Sequence, residues 1–302
     1  MREQFRLRDG RRIDWLEYGD PSGVPALYLH GTPSSAREAG WLDAPARAAG
    51  VRLIAPDRPG YLDSQARRGE RIDGVARDLV ELVSGLGVER FAVAGFSGGG
   101  GFALAVGAAA PDRVTTVVVG GGMGAVGSAP DSGLPAFTRM LFATAALQPT
   151  LSRALIAAPM YWVARRFARD LGHPRQGAAS MLRGAAKGAQ LEAVDAYIAS
   201  RSDEQLHAEL ADRVRSFRSL DGLVVDLAAY AGTWRVDLSA LTMPVQIWHG
   251  LEDPAVPVGF ARALARALPS AHVHLCEGEG HFVFHSHGRE VLEAVASSFS
   301  AP

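Results

Sequence analysis

The sequence predicts an α/β protein, with a mostly parallel sheet flanked by helices and a helical segment inserted before the last two strands. Two observations predict this class. Short β-rich segments alternate with helical ones up to about residue 125, and the alternation then stops until about residue 237. Strand-like segments resume after that point. We therefore expect residues 1–124 and 236–302 to form the core and residues 125–235 to form a helical cap over it.

Eight strands are expected in the sheet. The first two flank Asp9-Gly10, a dipeptide that favours a tight turn, so they should form an antiparallel hairpin. The other six are short apolar segments whose ends carry polar, glycine or proline residues. In chain order the predicted strands cover residues 5–7, 13–18, 26–29, 52–55, 91–94, 114–119, 245–248 and 272–275.

Length and composition narrow the classes of function. The chain has 302 residues, is 48% hydrophobic and carries a formal net charge of −1, so it lacks the basic surplus typical of nucleic-acid binding. Its first ten residues are charged, and no segment approaches a membrane span, so we expect a cytoplasmic protein without a membrane partner. Cys276 is the only cysteine, which excludes an intrachain disulfide. We expect a small-molecule substrate and a monomer or homodimer.

The candidate nucleophile is Ser97. It lies in the Gly-x-Ser-x-Gly pattern Gly95-Phe96-Ser97-Gly98-Gly99, which follows a predicted strand and precedes an alanine-rich helix. A serine at such a sharp turn takes a strained backbone conformation, and Gly95 and Gly99 remove side chains that would collide there. The N-terminus of the following helix points its dipole at any anion that develops beside Ser97.

A second strand end predicts an oxyanion hole. His30-Gly31-Thr32-Pro33 follows the strand at residues 26–29 and can present the backbone N–H of Thr32 to the same sheet edge as Ser97. The Gly98 N–H would be the second donor, since two fixed donors are needed for the tetrahedral oxygen. We expect His30 and Gly31 to support the loop. The alternative is a loop that merely ends a strand.

The predicted base and acid follow the last two strands. His281 lies in a glycine-rich loop after the final strand, and Asp253 lies in the loop after the strand before it. A serine hydroxyl needs a neutral imidazole to take its proton and a carboxylate to orient that imidazole. Glu252 is an alternative acid, and His285 and His287 are alternative bases that we expect to be exposed on a closing helix. The sequence has no helical histidine pair at metal spacing, so we expect neither a metal nor another cofactor.

Together these segments resemble the α/β-hydrolase superfamily, in the subgroup that carries a helical cap after the sixth strand. One departure is Leu62-Asp63-Ser64, where relatives often carry a further glycine before the serine. The resemblance covers most of the chain and includes five motifs in order: His30-Gly31-Thr32-Pro33, Asp57-Arg58-Pro59-Gly60-Tyr61, Gly95-Phe96-Ser97-Gly98-Gly99, His249-Gly250-Leu251-Glu252-Asp253 and Gly278-Glu279-Gly280-His281-Phe282.

The resemblance implies an α/β-hydrolase fold with an eight-stranded, mostly parallel sheet. It also implies a serine hydrolase that cleaves a small to medium, largely apolar ester, lactone or related carbonyl compound through an acyl-enzyme. Two alternatives remain open, because the fold hosts many reactions. One is a carbon–carbon bond hydrolase with the same triad, and the other is a non-catalytic ligand-binding member of the fold.

Bulky apolar residues in the first half of the insertion predict a large apolar surface. Most of it should pack the insertion onto the sheet, and the remainder should line the substrate pocket. Three arginines in the same segment, Arg165, Arg166 and Arg169, are expected on a solvated helix face. The apolar set is Met140, Leu141, Phe142, Leu147, Met160, Tyr161, Trp162 and Phe167.

Overall fold

Eight strands form a single sheet in the order β1-β2-β4-β3-β5-β6-β7-β8, in a computed structural model that describes residues 2–67, 69–126, 133–231, 234–268 and 270–300. β1 pairs antiparallel with β2 and β2 with β4, and every other pairing is parallel. This confirms the predicted fold class. The strands are β1 (Glu3–Arg6), β2 (Arg12–Gly19), β3 (Val24–Leu29), β4 (Val51–Pro56), β5 (Phe91–Phe96), β6 (Val114–Gly120), β7 (Val245–Gly250) and β8 (His272–Cys276).

Helices cover both faces of this sheet. Because side chains alternate along a strand, Leu27 and Val93 pack on one face while Tyr28 and Ala94 pack on the other. The first face is covered by α2, α3 and α10, and the second by α1 and α12, among other segments. These helices are α1 (Asp43–Ala48), α2 (Ile72–Gly85), α3 (Gly100–Ala109), α10 (Gly259–Ala267), α11 (Val283–Ser286) and α12 (Gly288–Ser297).

Among the described residues, six α-helices lie between β6 and β7, and we call residues 136–231 the helical insertion. They are α4 (Ala136–Leu147), α5 (Pro149–Arg169), α6 (Pro174–Arg183), α7 (Ala189–Ser200), α8 (Asp203–Arg218) and α9 (Leu220–Ala231). Phe142 and Ile156 are buried, but Leu147 is 79% exposed and Trp162 is 64% exposed. The expectation that most of the apolar set packs inward is therefore wrong for several of its members. Among the described residues, no helix combines the length and apolar character needed to cross a membrane.

The loop after β4 contains the departure noted in the sequence. Leu62 takes a positive φ of 50°, a conformation that a glycine adopts more readily. The turn is closed by backbone hydrogen bonds from Ser64 to Tyr61 and from Gly60 to Ser64. The leucine thus accepts the left-handed conformation, and the loop still brings Arg58 and Tyr61 into the core, where both are fully buried.

Candidate active site

Ser97 lies between β5 and α3, on a single turn of 3-10 helix that covers Ser97–Gly99. Its φ is +52°, so the serine has the strained left-handed backbone expected at a strand-to-helix turn. The turn also requires a glycine at 98, because a Cβ there would lie 2.1 Å from Thr32 Oγ1. Close approach of the Ser97 turn and the Thr32 loop is therefore built into the sequence.

His281 and Asp253 form the hydrogen-bonded pair that the sequence predicts. His281 Nδ1 lies 2.7 Å from Asp253 Oδ2, and the Asp253 side chain is fully buried. Burial alone would raise the pKa of Asp253, but the hydrogen bond from His281 and the N–H groups of Ala255 and Val256 outweigh it and lower that pKa. The carboxylate is therefore ionised and holds the imidazole. Glu252, the alternative acid, is exposed.

A cavity of about 470 Å³ is lined by both Ser97 and His281. Among the described residues, Ser97 Oγ has no hydrogen-bond partner, and long or unmade hydrogen bonds are common in unliganded sites. Most of the cavity wall is apolar, and nearly half of the lining residues come from the insertion. The lining from that segment includes Thr138, Phe142, Phe167, Met181, Leu182, Arg213, Phe217, Leu223, Asp226, Leu227 and Tyr230.

The loop after β3 brings Gly31 and Thr32 to the same cavity. Gly31 N–H donates to Glu38 Oε1 at 2.7 Å, and the Arg58 N–H donates to His30 Nε2 at 3.1 Å. Burial, with the nearby Arg58 charge, holds the pKa of His30 well below its usual range, so this histidine is neutral and serves as a fixed acceptor. Among the described residues, the Thr32 N–H donates no hydrogen bond to a protein acceptor.

A buried carboxylate from the insertion fixes this loop from the other side. Asp226 on α9 accepts hydrogen bonds at one oxygen from Thr32 Oγ1, from Arg58 Nη2 at 2.5 Å and from Tyr61 OH at 2.7 Å. Arg58 and Asp226 are 1% and 2% exposed, so their ion pair lies in the interior. The Thr32 side chain is thereby anchored to the insertion, with its backbone N–H beside the Ser97 turn.

The histidine loop is also held by the insertion. Gln190 on α7 is fully buried, and its Oε1 accepts from the N–H groups of Gly280 and Phe282 at 3.0 and 3.3 Å. Its Nε2 donates to Gly280 O at 3.2 Å, and the His281 N–H donates to Ala185 O at 2.9 Å. The loop that carries His281 is therefore held in position by segments distant in the sequence.

Sequence reasoning missed Asp226 and Gln190. Asp226 occurs within an apolar helix, on the side that also carries Leu223 and Tyr230, and all three line the cavity. A lone carboxylate on an apolar helix face is the signal that could have found it, because such a group needs a buried partner. Gln190 offers no comparable signal. The two alternative histidines also differ from expectation, since both are half-buried and not exposed.

One group of metal-compatible side chains occurs outside the cavity lining. Ligand atoms of Cys276, Glu279 and His287 lie within 4.8 Å of one another. The sequence did not predict this grouping. The Glu279 carboxylate already accepts from Gln190 Nε2 and Ser286 Oγ and pairs with His287 Nε2 at 3.1 Å. Protein donors therefore occupy it, and it serves as a brace for the loop that carries His281.

Fold and motifs define a member of the α/β hydrolases. The chain belongs to that family, because the model of the alpha/beta hydrolase fold matches residues 25–288. A hydrolase from Dechloromonas aromatica named for 2-hydroxy-6-oxononadienedioate and 2-hydroxy-6-oxononatrienedioate is 26% identical over 93% of this chain and 89% of its own length.

Other similarities are more local or concern only the fold. The acetyltransferase component of an acetoin cleaving system from Pseudomonas putida is 34% identical over 111 residues, which are 36% of this chain and 29% of that relative. Among solved structures, a bromoperoxidase from Bacillus anthracis aligns over 100% of both chains with a TM-score of 0.69 and 22% identity. At that identity, the likeness supports the fold alone.

Proposed function

We propose that this protein is a serine hydrolase that cleaves a small to medium, largely apolar ester, lactone or related carbonyl compound. The observation that carries the proposal is the pair formed by His281 and the buried, ionised Asp253 beside the strained Ser97, in one cavity. A histidine with its Nδ1–H held by a carboxylate presents Nε2 as the acceptor, which is the arrangement a serine nucleophile requires.

In the proposed reaction, His281 removes the Ser97 proton as the hydroxyl oxygen attacks the substrate carbonyl. The N–H groups of Thr32 and Gly98 bind the oxyanion, and the positive end of α3 stabilises the same charge. His281 then protonates the leaving group, and water releases the acyl group by the reverse sequence. Gly95 and Gly99 permit the turn, while His30 and Gly31 position the Thr32 loop. No cofactor is needed for these steps.

The cavity supports the substrate class. Its walls are mainly apolar and aromatic, and its volume of about 470 Å³ suits a drug-sized or smaller molecule. Phe142, Phe167 and Phe217 from the insertion lie among the walls. We therefore propose that the insertion acts as a cap, with an acyl or alcohol group of modest size against these rings.

The first test is intact mass after exposure to a fluorophosphonate probe. We expect one adduct on the wild type and none on Ser97→Ala, followed by turnover of p-nitrophenyl esters with an optimum at short to medium acyl chains. Ser64→Ala is the control, at a buried serine that lies outside the cavity. A folded wild type that takes no adduct would contradict the proposal and favour a non-catalytic binding protein.

Carbon–carbon bond hydrolysis is a second candidate, favoured by the similarity to the Dechloromonas hydrolase over nearly the whole chain. The same cavity and the same three residues, Ser97, His281 and Asp253, would carry out that reaction. Product analysis with an ester and with a vinylogous diketone separates the two, because only the second reaction releases a carboxylic acid and an enol from a carbon–carbon bond.

A further inference from the structure

The outer face of α4 and α5 is an unusual surface for this protein. Eight large apolar side chains are exposed among the described residues, and six of them lie within residues 136–169. The exposed fractions range from 45% to 79%. We call this set the apolar face: Met140, Leu147, Leu151, Leu155, Tyr161 and Trp162.

The exposed apolar residues Leu151, Leu155 and Trp162 lie along one side of α5, with Pro159 inside the helix between the last two. At about 100° per residue, Leu151, Leu155 and Trp162 lie within about 40° of one another around the helix. Arg165, Arg166 and Arg169 fall in the same sector, near the C-terminal end, and all three are exposed. This side of α5 is therefore apolar along most of its length and basic at its C-terminal end. Trp162 lies near the boundary between the two parts.

The charge of this segment is one-sided. Residues 136–169 contain five arginines and no acidic residue, although the whole chain has a net charge of −1. Arg153 pairs with Asp221 on α9 and Arg166 Nη2 approaches Ser180 Oγ at 3.5 Å. Arg139, Arg165 and Arg169 have no carboxylate partner among the described residues. The surface thus combines apolar side chains with uncompensated positive charge.

We propose that this face docks on an anionic phospholipid bilayer. Helices that lie in a membrane interface combine an apolar face carrying tryptophan, phenylalanine or leucine with lysine or arginine that reaches anionic headgroups. Tryptophan and tyrosine are enriched at the headgroup level, which suits Tyr161 and Trp162. This departs from the expectation of no membrane partner, which rested on the lack of a membrane-spanning segment. Peripheral binding needs only one helix face.

A second copy of the chain is the competing occupant, and the charges disfavour it. A twofold interface would place this face against itself, and α4 and α5 contain no acidic residue to meet the arginines of the other copy. Arginine–arginine contacts would then remain uncompensated. A bilayer of anionic lipid supplies the missing negative charge across the whole face.

Docking would also connect the bilayer to the cavity. Phe142 and Phe167 line the cavity from the same two helices, so the lipid surface would lie about one helix diameter, ~10 Å, from the cavity wall. Apolar molecules dissolved in the bilayer would be delivered close to the site. The docking itself does not depend on the proposed hydrolysis, and Ser97→Ala should bind vesicles as the wild type does.

The test is flotation of the whole protein with vesicles of equal parts phosphatidylglycerol and phosphatidylcholine, compared with pure phosphatidylcholine, at low salt. We expect the wild type to float with the anionic vesicles and to be released by salt. Leu155→Glu with Trp162→Glu should weaken binding at least tenfold. Arg165→Gln with Arg169→Gln should weaken it by about fivefold for each charge removed.

A matched control uses the other two exposed apolar side chains. Val273→Glu with Leu275→Glu changes β8, away from the apolar face, and should bind as the wild type does. The thermal midpoint of every variant establishes that it is folded. The proposal is overturned if the wild-type protein remains in the bottom, vesicle-free fraction, or if all variants float equally. It is also overturned if light scattering shows a dimer that Leu155→Glu converts to a monomer.

Discussion

The sheet and the helical insertion differ in how their polar groups are used. The loops at the carboxyl ends of β5, β7 and β8 carry the groups proposed to react: Ser97, Asp253 and His281. The insertion supplies groups that hold neighbouring loops in position: Asp226 bonds to Thr32 in the loop after β3, and Gln190 bonds to Gly280 in the loop after β8. The difference indicates that the residues proposed to react lie at the carboxyl ends of strands. The residues that hold them in position come instead from any segment that packs over the sheet.

The largest expected effect lies in the sheet region. Asp253→Asn should lower kcat about 10⁴-fold, because an amide favours the wrong imidazole tautomer and cannot stabilise the imidazolium. Glu252→Gln, one residue away and exposed, should leave kcat within about twofold of the wild type. Steady-state kinetics on an ester found with the probe-reactive enzyme measure both. Equal losses in the two variants would contradict the assignment of Asp253.

The next effect tests the insertion. Asp226→Asn removes the charge that partners buried Arg58, and an uncompensated buried charge costs about 3–5 kcal/mol of unfolding free energy. We also expect kcat to fall by about tenfold, since the Thr32 side chain loses its anchor. Urea unfolding and ester kinetics give the two values.

The control for this prediction removes both charges. Replacing Arg58 by methionine and Asp226 by leucine together should restore much of the stability lost in Asp226→Asn, because no unpaired charge remains. It should not restore kcat, because the anchor of Thr32 is still missing. A double variant that regained full activity would show that Asp226 acts on stability alone.

The features that the sequence predicts lie mainly in the sheet region, and those that it does not predict lie mainly in the insertion. The strands, the Ser97 turn and the His281 loop could be predicted, because each is encoded by a local pattern of apolar alternation, glycine and proline. Asp226 and Gln190 could not, since their partners lie far away in the chain and are brought close only by packing. The outward orientation of Leu147 and Trp162 escaped prediction for the same reason, because apolar spacing alone does not say which face a helix buries.

A smaller effect is expected at the brace of the histidine loop. Gln190→Met keeps the length of the side chain but leaves the Gly280 and Phe282 N–H groups without their acceptor. Buried groups left unpaired cost about 1–3 kcal/mol each, so we expect a loss of about 3 kcal/mol in unfolding free energy. Urea unfolding measures it, with Gln176→Met at an exposed position of α6 as the matched control. A loss below about 0.5 kcal/mol would argue that water replaces the side chain.

The smallest expected effect lies where the two regions meet. The ring of His285 on α11 contacts Trp41 and Phe282 of the core and Tyr197 of α7, and its Nε2 atom is buried. Burial lowers its pKa from 6.5 to about 3. The unfolded chain therefore binds a proton below about pH 6.5 that the folded protein excludes, so the stability contributed by this group is present above that pH and is lost as the pH falls towards 3.

The size of this effect follows from the proton linkage. Stability should fall by about 1.4 kcal/mol per pH unit below 6.5 for each such histidine, or about 2 kcal/mol between pH 7 and pH 5. His285→Phe keeps an aromatic ring but removes the proton site. Urea titrations at pH 7 and pH 5 give the unfolding free energy of each protein. Between these pH values the decrease should therefore be about 2 kcal/mol smaller for His285→Phe than for the wild type. Equal losses of unfolding free energy in the two proteins would mean that His285 is protonated in the folded state. They would also mean that water enters the contact between the core and the insertion.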